Sequence, residues 1–385
     1  MKIIYFSHSF FTDADFPLIR AYQKNKIDVS YYVPLPLRFR QCVLFRLNRP
    51  VLKLGIVKAS ALPEMRLYEN FINLDKLYFI LGSHRFNPLS WLVWIRVLLM
   101  MKKEKADVIH VTWPFSNIYE RFLFKFKLGA LKVLTVHDPF SHSGLKNKNR
   151  EEKQRLRSFK WADRYVILNN KYADAFSDYY NIPYNKIFIS KLGPIDELKY
   201  ITQTPTSIDG DYILFFGFIS PYKGLEYLLD AMNVVRQQYP QLKVVIAGGG
   251  PLYFDATPYQ GEQFIWLHRF VDVSELAGLL SKTLFVVCPY KDATQSGVVQ
   301  MSFTMGVPVL ASDVGALSET IEDNVTGLLV PPCDPTALAE KICYLYNNED
   351  ILNQMKDNIN TYWRKKQNWD DIVNNYLKVY NSFVG

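Results

Sequence analysis

The residues best equipped for chemistry in this 385-residue chain stand in polar loops that directly follow apolar runs. In FGFISPYKG (Phe216–Gly224), Gly217 lets a ligand approach the backbone, Ser220 precedes a helix start, and Lys223 supplies a point charge. A strand–turn–helix junction with a solvated lysine is the plain alternative. In AGGGP (Ala247–Pro251), Gly248 and Gly249 leave a backbone against which a flat ligand can lie, or simply make a tight turn. In CPYKDATQSGVVQ (Cys288–Gln300), Thr294, Ser296 and the amides of Gly297 and Val298 make a nest for phosphate oxygens. Asp292 and Gln300, eight apart, flank that nest as acceptors for sugar hydroxyls. In SDVGALSE (Ser312–Glu319), with NVTG (Asn324–Gly327) beyond it, Glu319 caps a helix or reaches a ligand, capping being the simpler reading. The N-terminal half adds TVHDPFSHSG (Thr135–Gly144), where His137 and Asp138 end an apolar strand and His142 follows between two serines. A satisfied histidine at a strand terminus is the alternative there.

Ligands bind open parallel sheets outside the carboxyl ends of the strands, and the surrounding pattern supplies such strands. Short apolar runs occur at 2–6, 28–33, 107–111, 132–136, 164–168 and 187–190, with helix-compatible segments between them. A polar stretch follows, and the alternation restarts: strands at 212–216, 242–247, 284–288 and 308–311, helices at 224–239, 274–281, 298–305 and 335–348. This predicts two doubly wound α/β domains in tandem. The expected boundaries are 1–195 for the first domain, 196–211 for a linker and 212–367 for the second. A terminal helix over 368–385 carries a stripe of Ile372, Val373, Tyr376, Leu377 and Tyr380 that suits either domain.

Apolar residues make up 49% of the chain, enough for two large cores, which excludes a disordered protein. Residues 1–200 hold 33 basic and 17 acidic side chains, and the remainder hold 12 and 20. The first half therefore faces something anionic. Cys42, Cys288, Cys333 and Cys343 are too scattered for a disulfide framework or a structural zinc site. MKIIYFSHSF reads as a first strand and not as a leader. Pro88–Met101 is apolar but only fourteen residues long and interrupted by Arg96, short of the roughly twenty that a span needs. A cytoplasmic location follows. Basic and aromatic residues interleave in Leu35–Arg40, Trp91–Arg96 with Lys102, Lys103 and Lys105, and Tyr119–Lys127. They suit either peripheral attachment to an anionic inner-membrane face or a core helix with a solvated end.

The order of these loops resembles the retaining, nucleotide-sugar-dependent glycosyltransferases of family 4. The pieces that carry the likeness are TVHDP (Thr135–Pro139), FFGFISPYKGLEYLLDAM (Phe215–Met232), VVIAGGGP (Val244–Pro251), the Pro289–Gly297 loop, MGVPVLASDVGALSE (Met305–Glu319) and NVTGLLVPP (Asn324–Pro332). The resemblance covers most of residues 107–380. It implies a GT-B fold: two Rossmann-like domains facing across a cleft, with the C-terminal helix returning to the N-terminal domain.

The same resemblance implies residue roles. Lys223 binds the donor diphosphate, aided by backbone at Ser296–Val298, and His137 contacts the transferred sugar. The donor site includes Gly217, Ser220, Gly248, Gly249, Phe270, Val271, Thr294, Gln295, Gly297 and Gln300, with the base near Arg269–Val273. Asp138 and His142 lie on the acceptor side. The donor is a UDP- or GDP-sugar. The acceptor is a carbohydrate or a polyprenyl-diphosphate-linked glycan of a bacterial surface polysaccharide. No metal or other cofactor is expected, and no nucleic acid.

The chain departs from the family pattern in places. Phe218 and Ser220 stand where many members have arginine, and Ala293 and Met301 where they have a glutamate pair. Asp292 and Gln300 keep that spacing one residue earlier, so Asp292 joins His137 and Lys223 as a candidate catalytic residue. The first strand is followed by Ser7–Phe11 instead of a glycine-rich loop. Two other readings stay open: a nicotinamide-dependent oxidoreductase, which lacks its GxGxxG signature here, and a transferase-like scaffold without activity. A nucleic-acid-binding protein would leave the polar loops of the acidic half unexplained.

Overall fold

The computed structural model describes the whole chain except residues 37–43, 46–53, 83–86, 113–116, 141–147 and 383–385. The described residues form two compact units, one holding the chain up to Gly193 together with Trp369 onward, the other Pro194–Asn368.

The strands of the first unit are β1 (Lys2–Phe6), β2 (Asp28–Pro36), β3 (Gly55–Lys58), β4 (Leu77–Gly82), β5 (Val108–Val111), β6 (Leu131–Val136), β7 (Arg164–Ile167) and β8 (Ile187–Ile189). They form one sheet in the order β3-β4-β2-β1-β5-β6-β7-β8. Its helices are α1 (Thr12–Lys24), α2 (Pro88–Glu104), α3 (Ile118–Leu123), α4 (Lys148–Trp161) and α5 (Ala173–Tyr180). In the second unit β9 (Tyr212–Phe216), β10 (Lys243–Ala247), β11 (Phe264–Leu267), β12 (Val286–Cys288), β13 (Val309–Ser312) and β14 (Gly327–Val330) form an all-parallel sheet. Its order is β11-β10-β9-β12-β13-β14. It carries α6 (Leu225–Gln238), α7 (Val273–Lys282), α8 (Gly297–Thr304), α9 (Leu317–Thr320), α10 (Pro335–Tyr346), α11 (Glu349–Asn358) and α12 (Arg364–Lys366). The chain then returns to the first unit as α13 (Trp369–Asn381).

The near-continuous apolar strands of the second unit follow from burial on both faces. Successive side chains alternate between the two faces. Tyr212, Leu214 and Phe216 of β9 therefore enter the core shared with α7 and α8, while Ile213 and Phe215 enter the one shared with α6 and α10. The first sheet differs from expectation at one edge, where β3 runs antiparallel to β4.

Two further features refine the sequence reading. The stretch expected as a linker is packed: Leu198 joins the core of the second unit, as does Ile195 just before the stretch, and Thr204 N–H donates to the Ser274 carbonyl at 3.0 Å. Gly278 on α7 has no room for a side chain there, because a Cβ would stand 1.9 Å from the Thr204 carbonyl oxygen. The terminal stripe is laid on the first unit, with Ile372, Val373, Tyr376, Val379 and Tyr380 buried. The Tyr380 hydroxyl lies 2.7 Å from that of Tyr22 and 2.6 Å from His110 Nδ1. These contacts anchor α13 beside α1 and β5. No helix among the described residues is long and apolar enough to cross a membrane.

Candidate active site

Three loops at the carboxyl ends of β9, β10 and β12 meet in the second unit, and glycine makes each approach possible. Gly217 follows β9 at φ +106, and a Cβ there would lie 2.7 Å from Lys223 Nζ. The bare glycine thus makes room for the ammonium. A Cβ on Gly248, after β10, would lie 1.9 Å from the Gly217 carbonyl oxygen. One on Gly224 would lie 2.1 Å from the Pro289 carbonyl oxygen, after β12. Lys223 ends a single 3-10 turn, Pro221–Lys223, and is only 8% exposed, with its ammonium 5.8 Å from the Tyr290 ring centroid. Burial pushes the neighbouring Cys288 thiol up to about 12, against the pull of the Lys223 charge. Cys288 is therefore a neutral wall and not a nucleophile.

The start of α8 borders the same spot. The Val298 side chain lies 3.6 Å from the position a Gly217 Cβ would take. Ser296 is the N-cap, its Oγ accepting from Val299 N–H at 3.3 Å. The serine oxygen therefore serves the helix, and the backbone is left to meet an anion. The helix ladder offers no acceptor to the N–H groups of Gly297 and Val298, which add the partial positive charge of a helix start. Thr294 is buried, and Gln295 and Asp292 are half-buried in the same loop. Gln300 is 3% exposed, and its Oε1 has no hydrogen-bond partner among the described residues. Ala293 and Met301, where the family pattern would place glutamates, are in the apolar core.

The segment expected near a base also lies beside this site. A Cβ on Gly249 would meet Arg269 and Phe270 backbone at ordinary distances of 3.6 and 3.7 Å, so nothing in the protein requires glycine there. Phe270 and Val271 are half-buried, and Arg269 is held by Glu275 through two bonds of 2.6 and 2.7 Å. Glu319 is exposed in the first turn of α9, whose N-cap residue is Ala316.

Sequence reasoning missed a clamp on these loops. Lys291 Nζ contacts Glu226 Oε1 at 2.5 Å, the Tyr253 hydroxyl donates to Glu226 Oε2, and Lys291 N–H donates to the Tyr222 carbonyl at 2.7 Å. Lys291 lies 65 positions from Glu226 and further still from Tyr222, so only the proximity of Lys291 to Pro289 hinted at it.

In the first unit His137 directly follows β6. It is buried, and Phe11 stacks on its ring at 4.1 Å and 17°. Burial lowers its pKa to about 4 against the opposing Asp138 charge, so the imidazole is neutral near pH 7. A cavity of about 20 Å³, room for one water, touches His137, Tyr5, Asp15, Thr135 and Tyr376. Asp15 is held by the Tyr5 and Tyr31 hydroxyls at 3.2 and 2.8 Å, and burial raises its carboxyl to about 7. The Asp138 carbonyl accepts from the Arg155 guanidinium. His142 lies outside the described residues.

Residues 210–348 match the profile of the group 1 glycosyl transferases, and residues 59–190 that of glycosyltransferase family 4. An uncharacterised glycosyltransferase of Methanocaldococcus jannaschii is 27% identical over 73% of this chain and 77% of its own. The O-antigen chain mannosyltransferase C of Escherichia coli is 28% identical over 46% and 48%. The crystal structure of Anabaena HepE in complex with UDP-glucose superposes with a TM-score of 0.69 over all of both chains at 15% identity. The chain belongs to the family 4, group 1 glycosyltransferases and has their GT-B fold.

Proposed function

We propose that this transferase moves a sugar from a UDP- or GDP-sugar to a glycan or polyprenyl-diphosphate-linked acceptor, with retention at the anomeric carbon and without a metal ion. The carrying observation is the buried Lys223 ammonium, framed by Gly217 and the first turn of α8. As the glycosidic bond breaks, negative charge develops on the departing diphosphate. A fixed cation and helix-start amides aimed at it stabilise that charge more than they stabilise the ground state. The shared fold with a protein crystallised with UDP-glucose supports a nucleotide-sugar donor. The O-antigen chain mannosyltransferase relative supports assembly of a bacterial surface polysaccharide.

The chemistry of the polar pair bears on mechanism. Gln300 can hydrogen-bond sugar hydroxyls but cannot form a glycosyl ester or take a proton. Asp292 is the one ionisable member. A front-face transfer, in which the leaving phosphate accepts the acceptor's proton, needs neither as a nucleophile.

The test is a donor panel of UDP-glucose, GDP-mannose and NADH, scored by saturation-transfer NMR on the purified protein. Turnover of the bound donor is then followed with and without EDTA, and the anomer is assigned from the product's proton couplings. The reading expects one nucleotide sugar to bind and to yield the same anomer, with or without chelator. Binding of NADH alone, or an inverted product, would overturn it.

A further inference from the structure

Helix α2 is apolar on both faces, and among the described residues only one of them is packed against the fold. Ser90, Val93, Trp94, Val97, Leu98 and Met101 are buried against the first sheet and its neighbours. On the opposite side Leu89, Leu92, Ile95 and Leu99 are 61%, 64%, 41% and 60% exposed. Leu92 and Leu99 stand seven residues apart, two turns along one line, with Ile95 beside them. Core packing does not explain this face, because a helix on a solvated surface ordinarily turns polar residues outward. Helix α13 of the same unit does so, exposing Asp370, Asp371, Asn374 and Lys378.

Cations surround the apolar line. Arg96, Lys102, Lys103 and Lys105 are exposed on α2 and at its end, and Arg121, Lys125 and Lys127 are exposed on α3 and just after it. Lys102 Nζ sits 5.2 Å from the Phe126 ring, which joins the two groups, and Phe126 and Ile118 are themselves exposed. The nearby carboxylates are largely spoken for. Glu104 accepts from the Tyr32 hydroxyl, Glu120 is buried against Asn117, and Asp107 accepts from Lys2 N–H.

We propose that this face of α2 docks flat on an anionic lipid surface. The exposed leucines and isoleucine would enter the headgroup–acyl boundary, and the flanking lysines and arginines would meet lipid phosphates. From Leu89 to Leu99 the line runs along roughly 15 Å of helix. A second copy of the chain is a poorer occupant, since two such faces would bring like charges together. A polynucleotide is poorer still, since leucine offers no ring for base stacking. This docking rests on α2 and the cations beside it on α3, and does not depend on which donor the second unit takes. Of the three basic–aromatic segments expected to favour a membrane, Leu35–Arg40 lies mostly outside the described residues and carries none of the argument.

The experiment is co-sedimentation of the full chain with vesicles of phosphatidylcholine alone or mixed equally with phosphatidylglycerol, at low and high salt. Wild type should bind the anionic vesicles and release in salt. L92E/L99E should bind about tenfold or more weakly. K102Q/K103Q/K125Q should lose about fivefold per lysine. Both variants should melt as wild type does, because the altered side chains are exposed. Three results would overturn the proposal: no wild-type binding to anionic vesicles, undiminished binding by L92E/L99E, or a salt-resistant dimer that L92E/L99E dissolves while wild type ignores lipid.

Discussion

Gly248 and its neighbour Gly249 should respond in opposite ways to the same added methyl group. In Gly248→Ala the Cβ would stand 1.9 Å from the Gly217 carbonyl oxygen. Ordinary contact needs more than 3 Å, so the two loops would have to part by over an ångström. Three backbone bonds hold them in place: Gly217 N–H to Ala247 O at 2.9 Å, Ile219 N–H to Gly249 O at 2.8 Å, and Gly248 N–H to Leu267 O at 3.1 Å. Overpacking costs about 1–3 kcal/mol, and losing two of these bonds adds about 1 kcal/mol each. The expected loss is therefore about 3–5 kcal/mol, a large part of a domain's stability. In Gly249→Ala the nearest atom is 3.6 Å away, so the change should stay within about 0.5 kcal/mol. Urea unfolding followed by tryptophan fluorescence and circular dichroism measures both. Equal stability of the two variants would refute the reasoning. If Gly249 instead keeps its backbone bare for a ligand, its alanine variant should fold normally yet bind nucleotide more weakly.

Other perturbations test other parts of the structure. Lys291→Met should raise the KM for the donor several-fold with a smaller effect on kcat, because it loosens the clamp on the β12 loop without touching Lys223; an unchanged KM would remove the clamp from the donor site. Asp15→Asn isolates a buried carboxyl whose pKa is raised from 3.8 to about 7. Its stabilisation is present below pH 3.8 and lost as pH rises towards 7. The variant should therefore gain on wild type by about 1.4 kcal/mol per pH unit between roughly pH 4 and 7, and parallel stability curves would contradict this. His110 and His137 act with the opposite sign. Burial lowers them from 6.5 to about 3 and about 4, so stability should fall as pH drops from 6.5 towards 4. Replacing both with glutamine should flatten that limb of the curve.

Much of the scaffold was legible because fully buried parallel strands read as apolar runs. YILFF at β9 and KVVIA at β10 are examples. The four-residue β3 is too short to stand out, and β4, β11 and β14 fall inside mixed segments whose partners only the folded sheet reveals. The loops were visible through their glycines, but not what each glycine makes room for. Spacing does not say that Gly217 faces an ammonium and Gly248 a carbonyl. Long-range pairs such as Glu226 with Lys291 and Phe11 with His137 leave no local trace. Periodicity marked α13 well, since its outward face is polar. It failed on α2, where apolar residues on both sides cancel the pattern and only exposure separates the two faces.

The most direct test of diphosphate docking at Lys223 is isothermal titration of UDP and GDP into wild type and Lys223→Met. Methionine keeps most of the volume and removes the charge, so the fold should persist. A charge-assisted bond is worth about 1.5–3 kcal/mol. The nucleotide that wild type binds should therefore bind the variant at least tenfold more weakly. Equal affinity in the two proteins, or no affinity for either nucleotide in wild type, would contradict it.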